Sequence, residues 1–409
     1  MKNNLKFLLP ISLLLCASCG LVEEAQRKSA VDWTFQKDFT LLNQYADCHV
    51  LADGDSYIAV SPKLQARVLV ASLDGVKGES LGWYNRKMIV NGTAEYAHNI
   101  IGGIDRFSLA PEGGDNALFF KKGDSIIAEN WKAPAFLSTE PWQVIAKDEK
   151  HILFEKSASV VNAKDAKFDI KVLRQISILD KAQAGEFLGT EIAEDINMVA
   201  FQSINKITNE GSAKWQKEDG LIAESLQSCF TAGGNTYAFI PYKNDEGLGN
   251  MYNDKYFDAS DNEFRFLLTD DYARLRVDAK KLIEIGVNAK RSKSMALAYD
   301  ANKNILTVVT YVAPSVDVPY ITSMWQRSDD TLNGDAISVF NDGVSAQSSF
   351  DFDNYYEITT NSPALALEAK ASQLHVHRVY QFYGSEYELG LLSEKLAGIS
   401  IEELMVEED

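Results

Sequence analysis

The sequence predicts a mainly β fold, a large antiparallel β-sandwich with short helices near the two ends of the chain. Short apolar runs that stop at Gly, Asn or Asp recur from residue 57 to residue 383, as strands separated by turns do. Helical segments do not alternate with these runs, so a parallel α/β sheet is not expected. Aromatic residues are frequent, with 17 Tyr and 20 Phe, and can fill a large core.

Helical periodicity is confined to the two ends of this region. Segment 33–45 carries apolar residues near helical spacing, which predicts a short amphipathic helix. Ser385 and Glu388 form a capping-box pattern ahead of a leucine-rich stretch, and Ser400 with Glu403 repeats it. We therefore expect two helical segments after the last strand.

The strands themselves follow from period-two or continuous apolar runs bounded by turn residues. The predicted strands are 57–60, 66–70, 87–90, 117–121, 125–128, 151–156, 168–179, 236–241, 264–268, 306–312, 355–360 and 374–383. No repeat, low-complexity segment or linker interrupts them, which predicts one domain over residues 32–409.

The N-terminus predicts export and a lipid anchor. Residues 1–18 carry Lys2 and Lys6, then an apolar run too short to span a bilayer, as a signal peptide does. Ala17 and Ser18 precede Cys19, whose thiol can carry a diacylglycerol after cleavage. The alternative is a plain secretory signal with a chance cysteine. We expect residues 19–31 to be a tether on the bacterial envelope, at the outer membrane rather than the inner.

Charge and cysteine content restrict the partners. Removing residues 1–18 takes two lysines from 40 basic residues and none from 58 acidic ones, which leaves a net charge of −20. Such a chain lacks the basic surface that nucleic acid or anionic lipid requires, and we expect a monomer. Beyond Cys19, the mature chain keeps Cys48 and Cys229, which either pair as a disulfide or stay separate buried thiols.

A glycine-rich stretch over residues 99–114 is the first candidate for a binding loop. Glycine pairs bracket Asp105, Arg106 and Glu112, and glycine allows tight turns and close backbone approach. An arginine there can donate to two oxygens of a sugar or carboxylate. The alternative is a structural clasp between Asp105 and Arg106, with Glu112 in a turn.

A second candidate is the run that contains His375, His377 and Arg378. Strand residues two apart face the same side, so the two imidazoles can act together as acid and base, bind a hydroxyl or ligate a metal. Glu357 on another predicted strand is a candidate partner. The alternative is one core histidine and one surface histidine.

A third candidate combines Trp325 with Asn341 and Asp342. An indole ring with nearby amides and carboxylates suits a sugar, because the ring stacks and the polar groups bind hydroxyls. Asn341 and Asp342 precede Gly343 and also make a turn signal, which is the alternative. We expect no cofactor, although the acidic stretch 254–263 offers hard oxygen ligands to calcium.

Taken together, these segments resemble a family of bacterial lipoproteins with a domain of unknown function, similar in fold to the galactose mutarotase (aldose 1-epimerase) supersandwich. The residues that carry the resemblance are Gly102 to Phe107, Pro111 to Gly114, Ala200 to Gly211, Gly334-Asp335, Asn341 to Gly343, Ser362 to Ala366 and His375 to Arg378.

The resemblance implies a sandwich whose concave face binds carbohydrate. It implies His375 or His377 as the acid and Glu357 as the base, with Asp105 and Arg106 on hydroxyls. Two functions follow: a sugar epimerase or related enzyme, and a non-catalytic glycan-binding protein. A structural envelope protein is the third. We expect one pocket to hold both histidines with Arg106, Glu112 and Trp325.

Overall fold

The protein is mainly β, and its sheets are antiparallel, as the sequence predicts. The computed structural model describes residues 33–92, 101–254, 265–314, 317–323, 331–343 and 354–405. In chain order the strands are β1 (His49–Asp53), β2 (Ser56–Ser61), β3 (Arg67–Ser72), β4 (Arg106–Ala110), β5 (Gln143–Lys147), β6 (His151–Val161), β7 (Lys167–Leu179), β8 (Asn197–Asn209), β9 (Ala223–Thr231), β10 (Thr236–Pro241), β11 (Asn253–Asp254), β12 (Phe266–Leu268), β13 (Tyr272–Arg276), β14 (Ile283–Asn288), β15 (Met295–Asp300), β16 (Ile305–Tyr311), β17 (Asp335–Asn341), β18 (Tyr355–Asn361) and β19 (Ser372–Tyr383).

Short helices flank the strands. They are α1 (Phe35–Ala46), α2 (Arg86–Asn91), α3 (Ala135–Ser138), α4 (Lys181–Leu188), α5 (Glu386–Ala397) and α6 (Ile401–Leu404), and single 3₁₀ turns lie at Ala128–Asn130 and Lys217–Asp219. None of these helices is long and apolar enough to cross a bilayer, a finding limited to the described part of the chain.

Three sheets make up the architecture. A ten-stranded sheet runs in the order β12-β13-β10-β15-β16-β19-β8-β7-β6-β5, and a six-stranded sheet in the order β11-β14-β17-β18-β9-β4. They face each other across the main apolar core, to which Leu226 and Ile358 of the smaller sheet and Ile207 and Val379 of the larger contribute. The sandwich therefore has an interior between these sheets and an outer face on each.

The other elements cover the edges. A three-stranded sheet, β1-β2-β3, packs under α1 and reaches β4 through a bridge between Val68 and Asp105. Helix α5 lies on the outer face of the ten-stranded sheet, where Leu389 and Leu392 are buried. The outer face of the six-stranded sheet, by contrast, carries polar side chains such as the half-buried Glu357.

Both predicted helical ends are confirmed. Thr34 caps α1, and its hydroxyl accepts from the backbone N–H of Lys37 at 3.3 Å. Ser385 and Glu388 form the capping box of α5, and Ser400 caps α6.

Three predicted strands are wrong. Segment 87–90 lies inside α2, because the side chain of Asn85 caps a helix there by accepting from the backbone of Met88. Segments 117–121 and 125–128 form turns, and Ala117 to Phe120 fill the core without joining a sheet. Apolar runs predicted burial correctly at 117–120, but burial alone does not create a strand.

Several expectations concern residues outside the described ranges. The signal peptide, Cys19 and the tether precede residue 33, Trp325 lies in 324–330, and most of the acidic stretch 254–263 lies in 255–264.

Candidate functional site

Strands β9 and β18 are neighbours and present alternate side chains to opposite sides of the six-stranded sheet. Ser228 and Thr360 point to the interior, where they meet histidines of the ten-stranded sheet. Gln227 is one residue from Ser228 and Glu357 is three residues from Thr360, so both point to the outer face. The predicted site residues divide between these two sides.

The interior side holds the two histidines in a hydrogen-bonded chain. The Thr360 hydroxyl bonds His375 Nε2 at 3.0 Å and His377 Nδ1 at 2.9 Å, and His377 Nε2 bonds the Ser228 hydroxyl at 2.9 Å. The predicted placement of both imidazoles on one strand face is thus correct. That face is the buried one, since His375 is 2% exposed and His377 not at all.

Burial keeps these histidines unprotonated at neutral pH, so neither suits the predicted role of general acid. It lowers the pKa of His375 to about 3, with a further contribution from His377, and lowers the pKa of His377 to about 4 against an opposing effect of Asp105. Both are therefore neutral near pH 7, and each neutral ring has one donor and one acceptor to give to the chain. Their role in this arrangement is to satisfy hydrogen bonds between two sheets.

Asp105 belongs to the same interior network. Its Oδ1 lies 2.9 Å from Nη2 of Arg174, and both side chains are fully buried. Arg174 also donates to Asn205 at 2.6 Å, which in turn donates to the backbone of His375 at 3.3 Å. The expected clasp between Asp105 and Arg106 does not form, because consecutive strand residues point to opposite sides and Asp105 pairs with Arg174.

The prediction of one shared pocket is wrong. The six-stranded sheet separates His375 and His377 from Arg106 and Glu112, which lie on its outer side. Trp325 falls outside the described residues.

Two other predicted site residues also have structural partners elsewhere. Asn341 is fully buried, accepts from the backbone of Ala279 at 2.9 Å and donates to Lys281 at 2.7 Å, so it fixes the turn before β14. Arg378 lies on the outer face of the ten-stranded sheet, where its guanidinium stacks at 4.0 Å on the ring of Phe187.

The outer side of the six-stranded sheet begins with Arg106 on β4. Arg106 is paired in register with Gln227 and donates through Nη2 to the Gln227 side-chain oxygen. Gln227 Nε2 donates to Glu112 Oε1 at 3.4 Å, and Arg106 Nη2 lies 3.9 Å from the same carboxylate oxygen. The backbone N–H of Glu112 donates to Ser323 at 3.1 Å, which holds this loop over the sheet.

Glu357 of β18 lies on the same outer face. Its Oε1 accepts from the Thr359 hydroxyl at 2.7 Å, and its Oε2 accepts from the Cys229 thiol at 3.4 Å. Burial raises the pKa of Cys229, and the charge of Glu357 raises it further, so the thiol stays protonated and can donate. Glu357 is half-buried and keeps a route to solvent.

The two carboxyl groups of this face influence each other. Burial raises the pKa of Glu112 above its usual value, Arg106 opposes that shift, and the charge of Glu357 adds to it. Glu112 keeps about a fifth of its side chain exposed. A carboxyl with a raised pKa beside a second carboxyl is an arrangement that separates an acid from a base.

Aromatic rings border this polar patch. Trp83 stacks on Tyr355 with ring centroids 4.3 Å apart, and the half-buried ring of Phe340 lies 5.9 Å from Tyr355. Burial raises the pKa of Tyr355, and the charge of Asp342 raises it further.

The glycine pair 102–103 is required for close approach, as the sequence predicts. Both glycines have positive φ, 78° and 106°. A Cβ on Gly102 would lie 2.5 Å from the ring of Trp83, and one on Gly103 would lie 2.8 Å from the side chain of Arg67. The pair thus lets Trp83 and Arg67 reach the outer face.

Sequence reasoning missed Gln227, Cys229 and Arg67. The run Ser225, Gln227 and Cys229 alternates with residues that face the core, a period-two signal that would have predicted β9. Arg67 stood inside a predicted strand of apolar residues, which is itself a sign of a buried functional or structural charge.

Cys48 and Cys229 are separate buried thiols, so they do not form the disulfide. Within the described ranges, no three His, Cys, Asp or Glu side chains are grouped as a metal ion would require.

The fold and site define the chain as an antiparallel β-sandwich with a polar cluster on one outer face. The chain belongs to the family of unknown function DUF6786, which matches residues 33–407. No curated protein matches it in sequence.

Among solved structures it is similar to the following three, two of which are described by their likeness to galactose mutarotase. The Slr1438 protein from Synechocystis sp. PCC 6803 shares 12% identity over 83% of this chain and 96% of that one, with a TM-score of 0.49. A galactose mutarotase-like protein from Lactobacillus casei shares 10% over 82% and 99%, with a TM-score of 0.46. A galactose mutarotase related enzyme from Lactobacillus acidophilus shares 13% over 82% and 97%, with a TM-score of 0.44.

Proposed function

We propose that this protein binds carbohydrate on the outer face of its six-stranded sheet and interconverts the anomers of a sugar there. The observation that carries the proposal is the pair of half-buried carboxyls, Glu112 in the loop after β4 and Glu357 on β18, with Arg106 and Gln227 on the same face. Amide, guanidinium and carboxyl groups bind hydroxyls, and the ring of Phe340 can pack on the apolar side of a sugar.

The two carboxyls suit the ring opening of a cyclic aldose. Glu357 removes the proton from the anomeric hydroxyl while Glu112, in its protonated form, gives a proton to the ring oxygen. Burial raises the pKa of Glu112 and so favours that form. The bond between the anomeric carbon and the ring oxygen breaks, and the aldehyde C=O forms. Rotation about the neighbouring C–C bond and the reverse proton transfers give the other anomer, so no atom is gained or lost.

Support for the cellular setting comes from the N-terminal sequence alone. The pattern around Cys19 favours a lipid anchor at the bacterial outer membrane, which would hold the sandwich on the envelope. Replacing Cys19 with Ala should move the protein from the membrane fraction to the soluble one, and unchanged membrane association would contradict the anchor.

The function is tested by a mutarotation and glycan-binding screen on the protein, with and without divalent metal. We expect Glu357→Gln and Glu112→Gln each to lower the anomerisation rate by about 10²- to 10⁴-fold, because an amide can neither take nor give the proton. The affinity of both variants for the sugar should change far less than the rate.

His377→Asn is the matched control, since the interior histidine should be dispensable for turnover. Glycan binding without turnover would identify a non-catalytic binding protein, and a failure to bind any glycan would leave a structural role.

A further inference from the structure

Beside β4, the edge strand of the six-stranded sheet, lies a partly enclosed cavity of about 20 Å³, which Arg106 and Ser108 line from the outer side of that strand and Phe107 from the core side. Its lining includes Arg67, Arg106 and Ser108, together with the stacked rings of Phe119 and Trp131. A cavity of this size holds one water-sized group, and an oxygen of a carboxylate is such a group.

Two guanidinium groups line this small space with unused donors. The Nε atoms of Arg67 and Arg106 are both buried, and neither has a hydrogen-bond partner among the described residues. One terminal nitrogen of each guanidinium already has a partner, since Arg67 Nη1 donates to the Gly102 carbonyl at 2.8 Å and Arg106 Nη2 donates to Gln227. Buried N–H donors left unpaired cost free energy, so the pair favours a ligand that accepts from both.

The charged groups around the cavity indicate whether that ligand is an anion or a cation. Arg67 is 2% exposed, and burial together with the neighbouring charge of Arg106 lowers its pKa to about 9. Two positive groups that repel each other in a buried place are stabilised by an anion. Two negative groups lie nearby. The charge of Glu357 raises the pKa of Arg67, and Glu112 Oε1 lies 3.9 Å from Arg106 Nη2.

We propose that this cavity binds one oxygen of the carboxylate of an acidic sugar, which Arg67 Nε, Arg106 Nε and the Ser108 hydroxyl surround. This inference rests on the proposed function, because the sugar ring would lie on the adjoining outer face. It names the substrate class as uronic acids or glycans that contain them. A guanidinium suits this task because it pairs with carboxylate oxygens in a fixed geometry.

The test compares sugars that differ only in the acidic group. The full protein in detergent is titrated by calorimetry with the methyl glycosides of D-galacturonate and D-glucuronate and with those of D-galactose and D-glucose. We expect at least one uronate to bind about 10- to 100-fold more tightly than its neutral counterpart, the range that a charge-assisted hydrogen bond supplies.

Two variants assign the preference to the cavity. Arg67→Lys and Arg106→Lys keep the positive charge but remove the guanidinium fork, and each should reduce the ratio of uronate affinity to neutral-sugar affinity at least several-fold. Because Arg67 is fully buried and its variant can fail to fold, the more exposed Arg106 carries the test on its own. Arg378→Lys, on the far side of the ten-stranded sheet, is the control and should keep the full preference.

Equal affinity for uronate and neutral sugar would overturn the inference and leave the proposed function standing. Binding of acetate with no binding of any sugar would overturn both, and would identify a site for free small anions. A uronate preference that survives in Arg106→Lys would move the carboxylate to another site and overturn the inference.

Discussion

The two sides of the six-stranded sheet use the same strands for opposite purposes. On β18, Thr360 faces inward and bonds both histidines, whereas its neighbour Thr359 faces outward and donates to Glu357. The two histidines are buried and hydrogen-bonded to Thr360 and Ser228, while Arg106 and Glu112 on the outer side keep part of their surface in solvent. A polar cluster between two sheets therefore acts on stability, and a polar cluster on an open face is available to a ligand.

The largest expected effect is on the buried ion pair. Asp105→Ala leaves Arg174 charged and enclosed without its carboxylate, which should lower the free energy of unfolding by about 3–5 kcal/mol. Urea denaturation followed by circular dichroism measures the change.

An exposed pair supplies the control for that prediction. Lys122 and Asp165 lie 2.6 Å apart with most of both side chains in solvent, so Lys122→Ala should cost less than about 1 kcal/mol. Equal losses in the two variants would contradict a stabilising role for the interior network.

The next largest expected effect is a pH dependence of stability that comes from His377 in the interior. The folded-state pKa of His377, about 4, lies below its usual 6.5, so between these values the unfolded chain binds the proton and the folded one does not. Stability from this group is full above pH 6.5 and is lost as the pH falls towards 4, by up to about 1.4 kcal/mol per pH unit.

Comparison with His377→Asn isolates this effect. Burial raises the pKa of Glu224 and of Glu112, so those groups favour the folded state as the pH falls, but they are common to both proteins and cancel in the difference. The stability difference between wild type and variant should therefore shrink from pH 6.5 to 4. A difference that stays constant over this range would mean that His377 takes up a proton in the folded protein at its ordinary pKa.

The smallest expected effects come from two adjacent threonines. Thr360→Val removes the hydroxyl that joins His375 to His377 and should cost about 1–3 kcal/mol of stability without changing sugar binding. Thr359→Val removes one partly exposed hydrogen bond, should cost no more than about 1 kcal/mol, and should weaken sugar binding through Glu357.

Chemical unfolding and glycan titration of both variants give the two readouts. The opposite result, with Thr360→Val weakening the sugar and Thr359→Val unfolding the protein, would place the ligand between the sheets.

Local patterns in the sequence predicted nine of the nineteen described strands and the helices at both ends of the strand region. Period-two runs placed β7 and β19, a continuous apolar run placed β10, and the Ser385–Glu388 pair placed the start of α5, because these signals depend on neighbours along the chain. The wrong strand at 87–90 shows the limit, since the Asn85 cap decided between helix and strand for a short apolar run. The candidate site was predicted in part, as Arg106, Glu112 and Glu357 do share one face.

The sequence by itself determined that His375 and His377 point the same way, because alternation is a property of the extended backbone. Only the tertiary structure decided which of the two directions leads to the core. That choice depends on how two sheets distant in the chain pack together, with Ser228 of β9 meeting His377 of β19 across 149 positions of sequence. The packing made the histidines structural and left the carboxyl pair of Glu112 and Glu357 on the face that a ligand can reach.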